Sequence, residues 1–160
     1  MDNVELFLAH AVQLERDAAR RFEDLMHSMH SAGNYEVEAL FRRLGEFSRL
    51  HLKAATARSG FQSLPALQPH EFQWPEGTSP EAARWRGVDG ALDVLSALEL
   101  ALEGEECGMR FYEATATSSG NPEVVRMARE FASEEADHVS ELQRWIQRAT
   151  TGQTAPQKHY

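Results

Sequence analysis

Apolar residues recur every three or four positions in four separate stretches of the chain, and helix start or stop signals bound each stretch. From about Asn3 to His30, the positions Leu8, Ala11, Val12, Glu15, Ala19, Phe22, Leu25, Met26 and Met29 keep a helical period. Asp2 or Asn3 is available as its N-cap, and Gly33 stops it. A second helix is predicted from about Tyr35 to Arg58, with Val37, Phe41, Leu44, Ser48, His51 and Ala55 along its seam and Gly60 just beyond its end. The short break between the two makes an antiparallel hairpin.

A third helix is predicted over about Val88 to Thr117, and Gly120-Asn121-Pro122-Glu123 closes it and opens a fourth. Asn121 suits the N-cap, Pro122 the first helical position and Glu123 the first turn. The fourth helix then runs to about Thr150 on the seam Val124, Ala128, Phe131, Glu135, His138, Leu142 and Trp145. Between the hairpins, about 61–87, Pro65, Pro69, Pro75 and Pro80 prevent one continuous helix, although Ser79-Pro80-Glu81 offers a cap for a short one over Glu81 to Arg86. The aromatics of this crossover, Trp74 and Trp85 among them, are expected to pack over the bundle. The expected fold is all-α: one four-helix bundle over 1–150, with two antiparallel hairpins joined by the long crossover and a tail over 151–160.

Six polar residues fall on these apolar seams, two in one repeated pattern and four in another. Leu8-x2-Ala11-x3-Glu15-x2-Ala18-x3-Phe22 returns about ninety residues later as Leu98-x2-Ala101-x3-Glu105-x2-Gly108-x3-Tyr112. Leu44-x3-Ser48-x2-His51-x3-Ala55 is answered by Phe131-x3-Glu135-x2-His138-x3-Leu142. A carboxylate on a buried seam costs several kcal/mol unless a partner or a metal compensates it. Residues three apart share a helix face, so Glu135 and His138 can hold one ion together. Each residue also has an ordinary reading: a shift of one position would place Glu105 with the surface acids Glu103 and Glu106, and a seam histidine can be a hydrogen-bonded core residue. Tyr112 and Phe22 suit core packing. His10, His27, His30, His70 and His159 match no repeated position and are read as surface or loop residues.

One Glu from each of two helices plus Glu-x-x-His from the other two is the ligand pattern of di-iron carboxylate bundles. Over about residues 3–148 the chain resembles the ferritin-like superfamily, and within it the rubrerythrin-type di-iron domain. The resemblance is closest from Ala97 to Tyr112 and over Phe131-Ala132-Ser133-Glu134-Glu135-Ala136-Asp137-His138. It implies Glu15 and Glu105 as terminal ligands, Glu135 as a bridging carboxylate, and His51 and His138 as one nitrogen ligand for each metal. Ser48 departs from it, standing where the family has its second bridging Glu; Glu46, on a different face, does not replace it. Gly108 occupies the position of a further family Glu, and no rubredoxin-type cysteine pairs accompany the domain. The implied cofactor is iron, as one or two ions, with manganese or zinc also suited to the ligand types.

Composition narrows this further. Apolar residues at 42% and charged residues at 26% suit a globular chain, and a net charge of −9 disfavours a broad nucleic-acid or anionic-membrane surface. The single cysteine, Cys107, excludes an internal disulfide and fits a small, half-buried helix residue. The acidic, amphipathic N-terminus does not resemble a signal peptide, and no apolar run is long enough to span a bilayer, so a cytoplasmic protein is expected. The resemblance implies an iron-dependent oxidoreductase acting on peroxide or dioxygen, with a homodimer as the expected assembly. Two other readings stay open: a non-catalytic metal-binding or storage module, and a degenerate bundle acting through its surface.

Overall fold

A computed structural model describes residues 1–58, 64–75, 77, 79 and 92–151. Asn3 starts the first helix, α1 (Val4–Ser31), by accepting the Leu6 N–H on its side chain at 2.9 Å. Gly33 ends it. At φ +74° it donates to the His30 carbonyl while Asn34 donates to that of Met29, the two-bond stop that a left-handed residue permits. Asn34 at once caps α2 (Tyr35–Ala57) by accepting the Val37 N–H at 3.0 Å, so one tight turn closes the first hairpin. Asp2 has a different task from capping α1: it accepts the Gly120 N–H at 2.7 Å and ties the N-terminus to the turn of the second hairpin.

That hairpin consists of α3 (Val94–Ser118) and α4 (Pro122–Thr151). Asn121 accepts the Glu123 N–H at 3.0 Å, with Pro122 in the first helical position. The third helix begins later than the periodicity suggests, because Asp93 is extended and its carboxylate accepts the Ser96 N–H at 2.7 Å, which fixes the first turn at Val94. The expected start at Val88, the Gly60 stop, the short helix at Glu81 to Arg86, Trp85, His159 and the tail beyond Thr151 lie outside the described residues.

The helices pack as two hairpins, α1 on α2 and α3 on α4, which meet through α1 against α3 and α4. This is the ferritin-like four-helix arrangement expected of the sequence. Among the described residues the apolar core divides in two. Phe7, Leu8, Tyr112, Val124 and Phe131 anchor one cluster; Phe22, Leu25, Phe41, Leu98 and Leu142 anchor the other. On every helix the residues between these clusters are the polar seam positions, so a polar layer crosses the bundle at mid-length. No helix among the described residues is long and apolar enough to cross a membrane.

His10, expected at the surface, is fully buried. Its Nδ1 faces the Leu6 carbonyl at 2.8 Å and its Nε2 accepts the backbone N–H of Gln73 at 2.8 Å, so both ring nitrogens are satisfied and the crossover is held to α1. Phe72 and Trp74 stack on each other at 5.2 Å and meet the His10 ring edge-on, while Trp74 also packs on Phe111. The helical period missed this residue because its partners come from a segment without periodicity. His10→Ala removes two hydrogen bonds and the ring contacts, and is expected to lower stability by about 2–4 kcal/mol. Urea unfolding measures this, and a loss below about 1 kcal/mol would show that the crossover holds without His10.

Candidate metal centre

The polar layer is built by helical spacing from all four helices. α1 supplies Glu15, α2 Ser48 and His51, α3 Glu105, and α4 Glu135 and His138, each 8% exposed or less. Glu103 and Glu106 on either side of Glu105 are only partly buried, and Glu46 is exposed, so the helix phases point these six residues inward.

Potential ligand atoms of Glu15, His51 and Glu135 lie within 4.8 Å of one another, and so do those of Glu105, Glu135 and His138. Glu135 belongs to both groups and sits between them. In the first group His51 Nδ1 is 2.8 Å from Glu15 Oε1, and the Tyr112 hydroxyl donates to the same oxygen at 3.3 Å. Tyr112 therefore orients Glu15 besides packing in the core. His51 Nε2 meets the carboxylate of Glu134, a half-buried residue on α4, which leaves Nδ1 facing the centre. In the second group His138 Nδ1 stands 3.6 Å from Glu105 Oε2 and 3.8 Å from Glu135 Oε2. Aromatic rings wall off both imidazoles: Phe131 meets His51 edge-on at 4.6 Å, and Phe47 meets His138 at 4.3 Å.

A seventh polar residue, missed by the repeat, shares the layer. Arg21 is buried, and its Nη2 lies 3.5 Å from Glu105 Oε1. Its place on α1 follows a seam beside the repeated one: Leu14, Ala18, Arg21, Leu25 and Ser28 are all buried at steps of four and three. Room for the guanidinium comes from α3. A Cβ on Gly104 would stand 1.7 Å from Arg21 Nη1 and 2.3 Å from its Cζ, so the space that Arg21 fills is the space a side chain at 104 would take. The sequence signal was the pair itself, an arginine on a seam and a glycine inside a helix opposite it.

These neighbours separate the protonation of the carboxyls. Burial pushes Glu135 well above the usual carboxylate range, and the charges of Glu105 and Glu15 push it further. Burial acts on Glu105 in the same sense but is outweighed by the Glu135 carboxyl, the His138 imidazole and the Arg21 guanidinium, which bring it down to about 2. Burial would lower His51 and His138, yet Glu15 raises the first and Glu105 the second beyond that effect. Burial and the surrounding acids raise the Tyr112 hydroxyl well above its ordinary value.

The donor set fits a metal ion. Glu105 Oε2, Glu135 Oε2 and His138 Nδ1 are buried without a hydrogen-bond partner, though each is a first-rate ligand atom and all face one another. Unpartnered polar atoms of this kind cost about 1–3 kcal/mol each in a hydrocarbon core, and an ion coordinated by all three would remove that cost. Carboxylate and imidazole together suit iron, manganese or zinc.

Comparison with known proteins agrees with this geometry. The family model described as Rubrerythrin matches residues 96–160, the stretch that carries Glu105, Tyr112, Glu135 and His138. The chain is 33% identical to an uncharacterized conserved protein from Magnetospirillum magnetotacticum MS-1, whose crystal structure matches with a TM-score of 0.75 over 91% of this chain and 95% of that one. None of the curated proteins matches the chain.

The shifted protonation of these groups gives the metal-free protein a definite pH response. Glu135 is raised, so its contribution to stability is present below its unfolded value of 4.5 and is lost as pH rises through the folded value. His51 and His138 are raised too, and theirs is lost as pH rises beyond 6.5. Glu105 is lowered, and its contribution disappears only as pH falls from 4.5 toward about 2. Chelator-dialysed protein should therefore be most stable between about pH 4.5 and 6.5 and melt several degrees lower at about pH 8.5, since a tenfold change in proton affinity is worth about 1.4 kcal/mol. A melting temperature that stays level or climbs over that alkaline interval would contradict the assignment.

Proposed function

Since the chain belongs to the rubrerythrin family of ferritin-like bundles, we propose that it is an iron-dependent oxidoreductase that reduces peroxide or dioxygen at the mid-bundle centre. Glu15, His51, Glu105, Glu135 and His138 would hold the iron. The observation that carries the reading is the convergence of three carboxylates and two imidazoles in a hydrocarbon interior, with three of their ligand atoms lacking any hydrogen bond. Bound iron supplies Lewis acidity and the electrons that an oxidant takes up.

The chain's own side chains prepare the site. Burial and the neighbouring acids push Glu135 well above the usual carboxylate range, and it would have to be ionised to serve as a ligand, so metal binding would be coupled to proton release. Tyr112 keeps Glu15 in place through its hydroxyl, and Glu134 fixes the ring of His51. Phe47 and Phe131 exclude water from the imidazoles, which strengthens every charge interaction in the layer. Ser48 contributes only a neutral hydroxyl where a carboxylate would bind a divalent ion more strongly.

Elemental analysis of purified, iron-supplemented protein should find at least one iron per chain, and Glu135→Gln or Glu105→Gln should weaken iron affinity by about tenfold or more. The loaded protein should consume hydrogen peroxide or dioxygen faster than the same concentration of free iron. Iron bound without turnover would instead favour a metal-binding module, and protein that takes up no metal would remove the reading.

A further inference from the structure

The four walls of the bundle do not close the polar layer equally. α1 packs directly on α2, α3 on α4 and α1 on α3, and on the last of these walls buried Arg21 fills the notch left by Gly104. α2 and α4 make far less backbone contact and are joined instead by long side chains. Arg43 pairs with Glu141 near one end of their seam and Arg58 with Glu130 near the other. Between these two ion pairs, the antiparallel course of the helices sets Phe47 against His138 and His51 against Glu134.

Phe47 lies across that seam. Its ring is only half-buried, yet its centre is 4.3 Å from that of the His138 ring and 5.7 Å from that of the His51 ring, so one side chain covers both imidazoles. The imidazoles are also the members of the centre nearest to water: His51 is 6% and His138 8% exposed, against 2% or less for Glu15, Glu105 and Glu135. Glu134, half-buried on the same seam, holds a carboxylate at the rim beside His51. An ion entering an apolar interior needs an anionic ligand in exchange for the water it sheds. We infer that the seam between α2 and α4 is the route by which a divalent cation reaches the centre, that Glu134 is the first carboxylate it meets, and that Phe47 is the side chain whose rotation admits it. The two ion pairs hold the helices in place while the ring turns, so access needs one rotamer change rather than separation of the hairpins. The inference rests on the metal-binding reading above and adds the path to that site.

Stopped-flow mixing of chelator-dialysed protein with Co(II), and removal of the bound ion by excess chelator, give the rates in and out, while calorimetry gives the equilibrium affinity. Phe47→Ala should raise both rates by about tenfold or more and change the affinity by less than about threefold, because it clears the path without touching a ligand. Phe47→Leu, which keeps apolar bulk on the seam and disturbs folding less, should raise them by a smaller factor in the same direction. Glu134→Gln should slow uptake, and its difference from wild type should shrink at high salt as a charge effect does. His10→Ala is the control for loosening of the whole bundle: it removes a contact to the crossover, off the seam, and should leave both rates unchanged. Unaltered rates in Phe47→Ala and Phe47→Leu, or an equal acceleration in His10→Ala, would overturn the inference while Co(II) binding itself still stood. Uptake by Glu134→Gln at the wild-type rate would take that residue out of the path. No Co(II) uptake by wild type would remove both the path and the metal reading.

Discussion

Charge buried in hydrocarbon is the constraint from which the rest of this structure follows. Three carboxylates, two imidazoles and a guanidinium occupy one layer between two apolar clusters, and none has bulk water to solvate it. An isolated ionised carboxyl in such a place would protonate or unfold its surroundings. The layer is tolerable because each charge has an opposite one within reach: Arg21 for Glu105, and His51 for Glu15. Burial and the two acids that flank it push Glu135 well above the usual carboxylate range. The partners that remain missing are those a cation would supply.

The apolar clusters have the complementary role. Phe7, Phe131 and Tyr112 on one side, and Phe22, Phe41 and Leu142 on the other, bury apolar surface on both flanks of the layer and hold the helices in register. The layer depends on that register, because its ligand atoms come from four different helices and a shift of one residue in any of them would turn a ligand toward solvent. Stability and chemistry are thus assigned to different segments of the same helices. The crossover adds to the first of these, since His10 and Trp74 tie it to the cluster farther from the hairpin turn at Gly33.

Periodicity carried the sequence reading a long way. Val37, Phe41, Leu44, Ser48, His51 and Ala55 are all buried, as are Glu105, Glu135 and His138, because a helix that buries one face must bury the polar members of that face too. The hairpin turns were legible from Gly33-Asn34 and Asn121-Pro122, whose conformational demands are local. What was not legible depends on partners far apart in the chain. His10 is satisfied by a loop 63 residues away and Arg21 by an acid 84 residues away, and a single helix wheel carries neither fact. Arginine adds its own difficulty, since its long stem ordinarily delivers the guanidinium to solvent from almost any helix position.

Gly104 shows why such a site resists reading from local rules. Glycine inside a helix costs roughly 0.5–1 kcal/mol relative to alanine, and α3 carries two buried ones, Gly104 and Gly108, a single turn apart. Judged by propensity alone this is a weak point in an otherwise regular helix. Judged by what stands opposite, glycine is the only residue type at 104 that admits the Arg21 guanidinium without displacement, so the helix gives up local stability for the space that the guanidinium fills beside Glu105. Places where a sequence breaks a local preference without local benefit are where a distant requirement has overridden it. At Gly104 that requirement is room for a buried guanidinium that reaches Glu105 from another helix, and an absent side chain on α3 records it.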